Sequence, residues 1–345
     1  MKISSKIIYS LFFQLFIVSF ATKAVAQMGI DMPFWFKTGL RVQTSYTPIQ
    51  NDSTLDLRMM HYQVQGIFSL KSRLNAKLNT DISLKDINKN IVKNLLKKSD
   101  IGFKQSFIAV NMGMRVVEGN IFSDQNTHYW ANANISYTNI KASLRGGVWV
   151  RTLQIGAVQD VENLADTRPF ALGAIAKIFV KGLRKQNIFG LGLAYTPNGK
   201  IFPIPIIGFN RRLAKKWDLN ILIPANIAVL YQANDKLLYR LRINANSLQT
   251  GATRLLPITQ NAQLRTPNRL QYTQLETNLS VQYKVTKNLL LLVQGAYLRG
   301  TNLNFNESNN FLYDLKLSKG FFYASVGVHF NLKDGLFGSQ MFMVD

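Results

Sequence analysis

The chain has no cysteine among its 345 residues. That excludes disulfide scaffolds, thiolate zinc sites, a cysteine nucleophile and a lipoprotein anchor. Acidic residues are also scarce: 18 Asp+Glu stand against 41 Lys+Arg, a formal net charge of +23. Only 17% of residues are charged, where about 25% is usual in soluble proteins. Long apolar runs are missing too. Beyond residue 26 no uninterrupted stretch approaches the roughly 18 residues of a membrane-spanning helix, so a helical transporter is excluded although 47% of residues are hydrophobic.

What is present begins with an address. Lys2 and Lys6 form a positive start, Ile7 to Phe20 is largely apolar, and Ala24-Val25-Ala26 precedes Gln27 as a small-x-small cleavage pattern. This predicts a secretory signal peptide over 1–26 and a mature chain over 27–345. Removing Lys2, Lys6 and Lys23 with no acid leaves the chain strongly basic.

The mature chain alternates with period two. Over 321–332, Phe322, Ala324, Val326, Val328 and Phe330 share one face and Tyr323, Ser325, Gly327, His329 and Asn331 the other. The same pattern recurs over 74–84, 237–246 and 273–283, and more weakly over 36–46, 55–70, 103–116, 129–138, 141–153, 169–180, 187–196, 200–210, 217–231, 289–299 and 311–317. Strands that are half apolar and half polar suit a membrane barrel or a soluble sandwich with one wet face. Three features favour the barrel. Segments run to about ten residues or more, matching a tilted bilayer span rather than a sandwich strand of about 5 or 6. Aromatics such as Trp35, Tyr46, Tyr129, Tyr137, Tyr195, Trp217, Tyr231, Tyr283, Tyr297 and Phe330 sit near segment ends, as an interfacial girdle requires. The polar faces carry long charged side chains, which a dry core would exclude.

The expected fold is therefore all-β: a transmembrane antiparallel β-barrel with a polar lumen, about twelve strands, with fourteen as the next count, since such barrels have an even number. Short basic turns are expected at Lys71-Ser72-Arg73, Arg211 to Lys216, Thr286-Lys287-Asn288 and Ser318-Lys319-Gly320, and longer links through 86–101, 117–127, 155–168, 250–268 and 300–310. Counting back from the last segment places the turns at 286–288 and 318–320 on the wrong side. Either one candidate between 200 and 318 is not a full span, or Leu336–Val344 adds one.

The stretch Pro203-Ile204-Pro205-Ile206-Ile207-Gly208-Phe209, the basic turn into Trp217-Asp218-Leu219-Asn220-Ile221-Leu222-Ile223-Pro224, and Ala228-Val229-Leu230-Tyr231 resemble an uncharacterised, domain-of-unknown-function family of outer-membrane β-barrels from Bacteroidetes-type bacteria. The last strand, with Phe330 near its end, is similar to the signal read by barrel-assembly machinery, although Lys333 to Asp345 follow it. The resemblance implies the outer membrane of a Gram-negative bacterium. A weaker likeness is to the barrel subunit of the gliding-associated secretion system, whose Asn-Pro-Ala start has no counterpart here.

Catalytic chemistry has little material. His61, His128 and His329 are far apart in sequence, and Ser325 is roughly 13 Å along a strand from His329, too far for the serine–histidine contact of an outer-membrane phospholipase. No enzyme, cofactor or metal site is expected. Asp160, Glu162 and Asp166 read as a solvated loop with a cation site as the lesser alternative, and Lys89, Lys93, Lys97 and Lys98 among Ile91, Val92, Leu95 and Leu96 as a basic surface helix or an irregular loop.

The positive charge has two uses in a barrel. At the rims it meets lipopolysaccharide phosphates and other anionic lipids, and in the lumen it favours anions. Lys77, Arg145, Arg151, Arg240 and Arg242 are the candidate lumen residues, each assigned to the polar face of its segment, with pairing to Glu276 or Asp81 as the structural alternative. The expected function is a narrow basic channel for small anionic solutes or a plugged structural barrel. The alternative is a barrel subunit of a secretion or surface-assembly complex. Nucleic acid is not an expected partner.

Overall fold

The computed structural model describes residues 38–51, 55–77, 100–119, 126–143, 147–161, 163–182, 185–197, 199–224, 226–251, 269–307, 310–316 and 321–331. These residues form fifteen β-strands: β1 Gly39–Asn51, β2 Leu55–Lys77, β3 Asp100–Gly119, β4 Asn126–Ser143, β5 Gly147–Asp160, β6 Asn163–Gly182, β7 Lys185–Tyr195 and β8 Ile201–Ala214, then β9 Trp217–Ile223, β10 Asn226–Asn234, β11 Leu237–Gly251, β12 Arg269–Lys284, β13 Leu289–Glu307, β14 Asn310–Lys316 and β15 Phe321–Asn331. No described helix is long and apolar enough to cross a membrane, which says nothing against crossing by strands.

Every strand from β1 to β13 pairs with the next, and β15 pairs with both β13 and β1, so the sheet closes into an antiparallel ring. Over the level that all the strands share, closure removes the open edge of the sheet, the condition for a sheet to lie in lipid. β14 and β15 occupy the same edge of β13: Asn310–Lys316 lies against Asn302–Glu307, and Phe321–Phe330 against Leu289–Leu298. They are two pieces of one span, so the barrel has fourteen staves, the second of the two expected counts.

Three segment assignments account for the difference. The 311–317 segment falls on the same edge of β13 as the final strand and adds no stave of its own, which resolves the side conflict. Lys71-Ser72-Arg73 lies inside β2, next to a bulge between Ser69 and Lys71, so the alternation at 74–77 continues β2 and residues beyond 77 fall outside the described ones. The 217–231 segment is two short strands, β9 and β10, with Pro224 at the turn between them.

Several expected long links also shorten. Residues 155–168 are the end of β5 and the start of β6, with Asp160 opposite Asn163, and most of 300–310 belongs to β13. Short turns therefore occur at both ends, including Lys215-Lys216 and Asp235-Lys236 at the end where β1 begins (here the terminal end). Gly147 opens β5 with φ +74°, a left-handed conformation that a side chain makes costly.

Strand alternation sorts the side chains. On β13, Leu291, Val293 and Tyr297 are exposed, while Leu292, Gln294, Ala296 and Leu298 are buried. On β7, Phe189, Leu191, Leu193 and Tyr195 face out, and Ile188 and Ala194 face in. In water such an outer wall would be a large aggregation-prone apolar surface. In a bilayer it is ordinary.

The inward faces divide into two arcs. β5 to β9 contribute Val148, Val158, Phe170, Leu172, Ala176, Ile178, Ile188, Ala194, Ile204, Ile206 and Leu222, one continuous apolar core. β11 through β15 and on to β4 contribute mostly polar groups. Barrels of about eight strands are filled by their own side chains, whereas those of 16 to 18 leave an aqueous channel. A round ring of fourteen would thus be partly empty. This one is flattened: Cα atoms of β11 come within 8 Å of Cα atoms on β5 and β6, across the ring. That is inside the roughly 10 Å spacing of packed sheets, and the small inward side chains Ala174 and Ala176 on β6 leave room for it.

Candidate functional site

The polar arc is built from neighbouring staves in fixed register. Asn244 lies opposite Glu276, Arg242 opposite Asn278 and Arg240 opposite Ser280 on the β11–β12 ladder. Glu276 lies opposite Leu298, Asn278 opposite Ala296 and Ser280 opposite Gln294 on the next. Ala296 in turn faces Tyr323. The period of two turns all of these toward the interior.

Glu276 is the centre. Its side chain is 3% exposed, and a carboxylate is tolerated there only because donors converge on it. Tyr323 Oη donates to Oε1 at 2.5 Å and Asn278 Nδ2 at 2.8 Å, while Asn244 Nδ2 donates to Oε2 at 3.4 Å. Arg242 Nη2 stands 3.9 Å from Oε1, an ion pair at the outer limit of contact. Tyr323 Oη also accepts from Gln294 Nε2 and Asn278 Nδ2, each at 3.0 Å. The hydroxyl is thus the hub joining β12, β13 and β15.

The network continues around the wall. Gln43 Nε2 donates to Ser325 Oγ at 2.7 Å, Ser325 Oγ donates to Thr44 O at 2.8 Å, and Arg41 donates to Gln43. Gln63 Nε2 donates to Asn111 Oδ1 at 3.0 Å, and Gln105 Nε2 to Ser69 Oγ at 3.1 Å. Thr138 and Thr152 share a hydroxyl bond at 3.0 Å. Near the terminal end Arg212 Nε meets Asp218 Oδ1 at 3.3 Å. Such cross-strand bonds fix register, while buried Gln105 Oε1 and Asn244 Oδ1 take no hydrogen bond from the described residues.

The five candidate lumen residues separate. Arg240 and Arg242 face inward, and Arg242 stands 3.9 Å from Glu276. Arg151 does not face inward: it is exposed and shares its face with exposed Trp149, Leu153 and Ile155. The error is one of phase. β5 has apolar side chains on both faces, because its inward face packs Val148 and Val158 into the apolar core, so alternation gives no sign of which side is wet. Lys77 ends β2 opposite Asp100, and its side chain lies outside the described residues, as do Arg145 and Asp81.

Inward groups that sequence reading passed over include Arg41 and Arg115. Arg41 stands in alternation with Gln43 and Ser45, a signal strong enough to have found it. All three histidines lie at inward positions: His61 opposite Arg115, His128 opposite Val117 and His329 opposite Arg41. Ser325, once considered with His329, spends its hydroxyl on Gln43 and Thr44. Among the described residues no three His, Asp or Glu side chains come together as a metal site. Glu162, and the lysine-rich stretch around Lys93, lie outside the described residues.

No curated protein matches the sequence. Among solved structures, the chain is similar to the transport unit of the autotransporter AIDA-I from Escherichia coli, at 9% identity and a TM-score of 0.33, over 92% of this chain and 98% of that one. It is also similar to the translocator domain of the autotransporter NalP from Neisseria meningitidis, at 10% identity and a TM-score of 0.28, over 94% and 98%. A third is OmpT, an outer-membrane protein of Vibrio cholerae, at 8% identity and a TM-score of 0.28, over 85% and 95%. Scores this low carry no argument, and the barrel rests on this chain's own strand order. The sequence itself matches a family model over residues 139–331, more than half of the chain and all of the wall from the end of β4 to β15. The chain belongs to that family, the domain of unknown function DUF6268.

Proposed function

We propose that this protein is an integral outer-membrane barrel closed by its own interior, which acts through its outer wall and its ends as a structural or docking barrel. The observation that carries the reading is an interior filled over part of the ring: the apolar core of β5 to β9, with β11 drawn to within 8 Å of β5 and β6. A pore needs a continuous wet path, and wall-to-wall packing over part of the ring removes it there. The apolar outer wall supports a lipid environment, and the predicted signal peptide supports export. Partners expected of such a protein are barrel-assembly machinery, outer-membrane lipids and, in the docking role, components of a secretion or surface-assembly complex.

The reading carries no catalytic role. Glu276, a buried carboxylate of the kind enzymes use, has its oxygens occupied by Tyr323, Asn278 and Asn244. A second reading, an anion-selective channel, is favoured by Arg41, Arg115, Arg240 and Arg242 on the polar arc. Single-molecule conductance in a planar bilayer separates the two. The closed barrel gives no steps, whereas anion-selective steps that weaken or reverse in R240E/R242E establish the channel and overturn the first reading.

A further inference from the structure

The outer wall carries four cations where lipid-facing residues should be apolar. Lys104, Lys141, Arg151 and Lys177 lie on the consecutive strands β3, β4, β5 and β6, all at outward positions. The register makes them neighbours: Lys104 is opposite Lys141, Lys141 opposite Trp149 and Trp149 opposite Lys177, while Arg151, one outward position further along β5, is opposite Asn139. Three inter-strand spacings of about 4.8 Å make the row roughly 14 Å wide, the width of one or two lipid headgroups.

The row lies close to the terminal end and borders the apolar band directly. Beyond it along the strands come Ile108, Val110 and Met112 on β3, Ile135 on β4, Leu153 and Ile155 on β5, and Ile175 on β6. Interfacial character is plain in its companions. Lys177 Nζ lies 5.2 Å from the Trp149 ring centre and 5.0 Å from that of Phe179. Ser106, Tyr137 and Asn139, all outward, form a small hydrogen-bonded group beside Arg151, with Ser106 Oγ 3.0 Å from Tyr137 Oη and accepting from Asn139 Nδ2 at 2.9 Å. Of the acids in phase with Lys104 on β3, Asp100 begins the strand opposite Lys77, and Glu118 stands opposite Arg58 at the other end.

Four cations bordering the apolar band, with no acid opposite any of them in the register, repel one another and are costly to leave bare. Anionic headgroups remove both penalties. We propose that this row is a binding site for the phosphate of an anionic glycerophospholipid, held by Lys104, Lys141, Arg151 and Lys177 at the headgroup level, with its acyl chains along Leu153, Ile155 and Ile175. The inference rests on the membrane reading above. Such a site places this end of the barrel, where β1 begins and β15 ends, at the periplasmic leaflet, which is glycerophospholipid.

The test uses the full chain in neutral detergent micelles, with bound lipid counted by native mass spectrometry after addition of phosphatidylglycerol or phosphatidylcholine. The wild type retains phosphatidylglycerol over phosphatidylcholine by about tenfold, and K104Q/K141Q/R151Q/K177Q loses the preference, at the magnitude expected for several juxtamembrane cations. K215Q/K236Q/K287Q, exposed turn lysines at the same end, leaves it unchanged. Should the fourfold variant not fold, K141Q and R151Q singly must each lower the preference by about twofold, an equal share of a tenfold effect on the free-energy scale. Equal retention of the two lipids, equal loss in the turn variant, a stronger preference for lipid A, or displacement by millimolar inorganic phosphate would each overturn the site. Flotation with pure phosphatidylcholine vesicles keeps the two claims apart: failure to insert refutes the membrane reading, and insertion without phosphatidylglycerol preference refutes only the site.

Discussion

Replacing Glu276 with leucine should be one of the most damaging single changes in the polar arc. The carboxylate receives Tyr323 Oη at 2.5 Å and Asn278 Nδ2 at 2.8 Å, with Asn244 at 3.4 Å and Arg242 at 3.9 Å as weaker partners. A hydrogen bond to a charged group contributes about 1.5–3 kcal/mol, and the two short ones together about 3–6. Release from burying the carboxylate offsets part of that. Leucine also removes the carboxylate 3.9 Å from Arg242; breaking a fully buried pair costs about 3–5 kcal/mol, and this looser, partly exposed one costs less. The expected loss is therefore about 3–5 kcal/mol for Glu276→Leu and about 1–3 kcal/mol for Glu276→Gln, which keeps an acceptor for Tyr323. Reversible urea unfolding in lipid vesicles, followed by tryptophan fluorescence, measures both. A double-mutant cycle with Tyr323→Phe should give a coupling of about 1–3 kcal/mol. A Glu276→Leu loss within about 0.5 kcal/mol of zero, or strict additivity in the cycle, would refute the network as a stabilising unit.

Three further outcomes follow from the packing. Leu172→Ala and Ile204→Ala, both fully buried in the apolar arc, should each cost about 2–5 kcal/mol in the same unfolding assay; smaller losses would mean that the inward face is hydrated. Gly156→Val should cost about 1–3 kcal/mol, because a Cβ there already meets Phe170 Cζ at 2.5 Å and Ala133 O at 2.6 Å. Leu153→Arg, at a position 56% exposed, should cost about 2–4 kcal/mol in vesicles, as charges on the lipid face of barrels do, and a neutral result would mean that this face does not meet lipid.

Strand character was legible because alternation is a local property. The faces read for 237–246, 273–283 and 321–332 are those observed, with Leu241, Leu279 and Val326 out and Arg242, Glu276 and Ser325 in or buried. Strand identity was less legible, because a bulge at Leu70 interrupts the pattern without ending β2, and because β14 and β15, separate in sequence, share one edge of β13. Conversely, the turn at Pro224 hides between two apolar stretches that run together in sequence. The candidate site suffered from the same locality. Arg240 and Arg242 were found from their own strand, but the hub at Tyr323 depends on a pairing of β12, β13 and β15 that no single segment encodes. Arg151 lies on the exposed face because β5 carries apolar side chains on both faces, a circumstance the expectation of a polar lumen did not allow for.

The lack of native cysteine makes the closed interior directly measurable. Spin labels at Arg240→Cys on β11, paired in turn with Thr152→Cys on β5 and Ala174→Cys or Ala176→Cys on β6, report the distance across the ring by electron paramagnetic resonance in nanodiscs. A flattened barrel predicts at least one pair within about 15 Å, whereas a round fourteen-strand ring would hold these walls roughly 25 Å apart. Distances near the larger value for every pair would contradict the account.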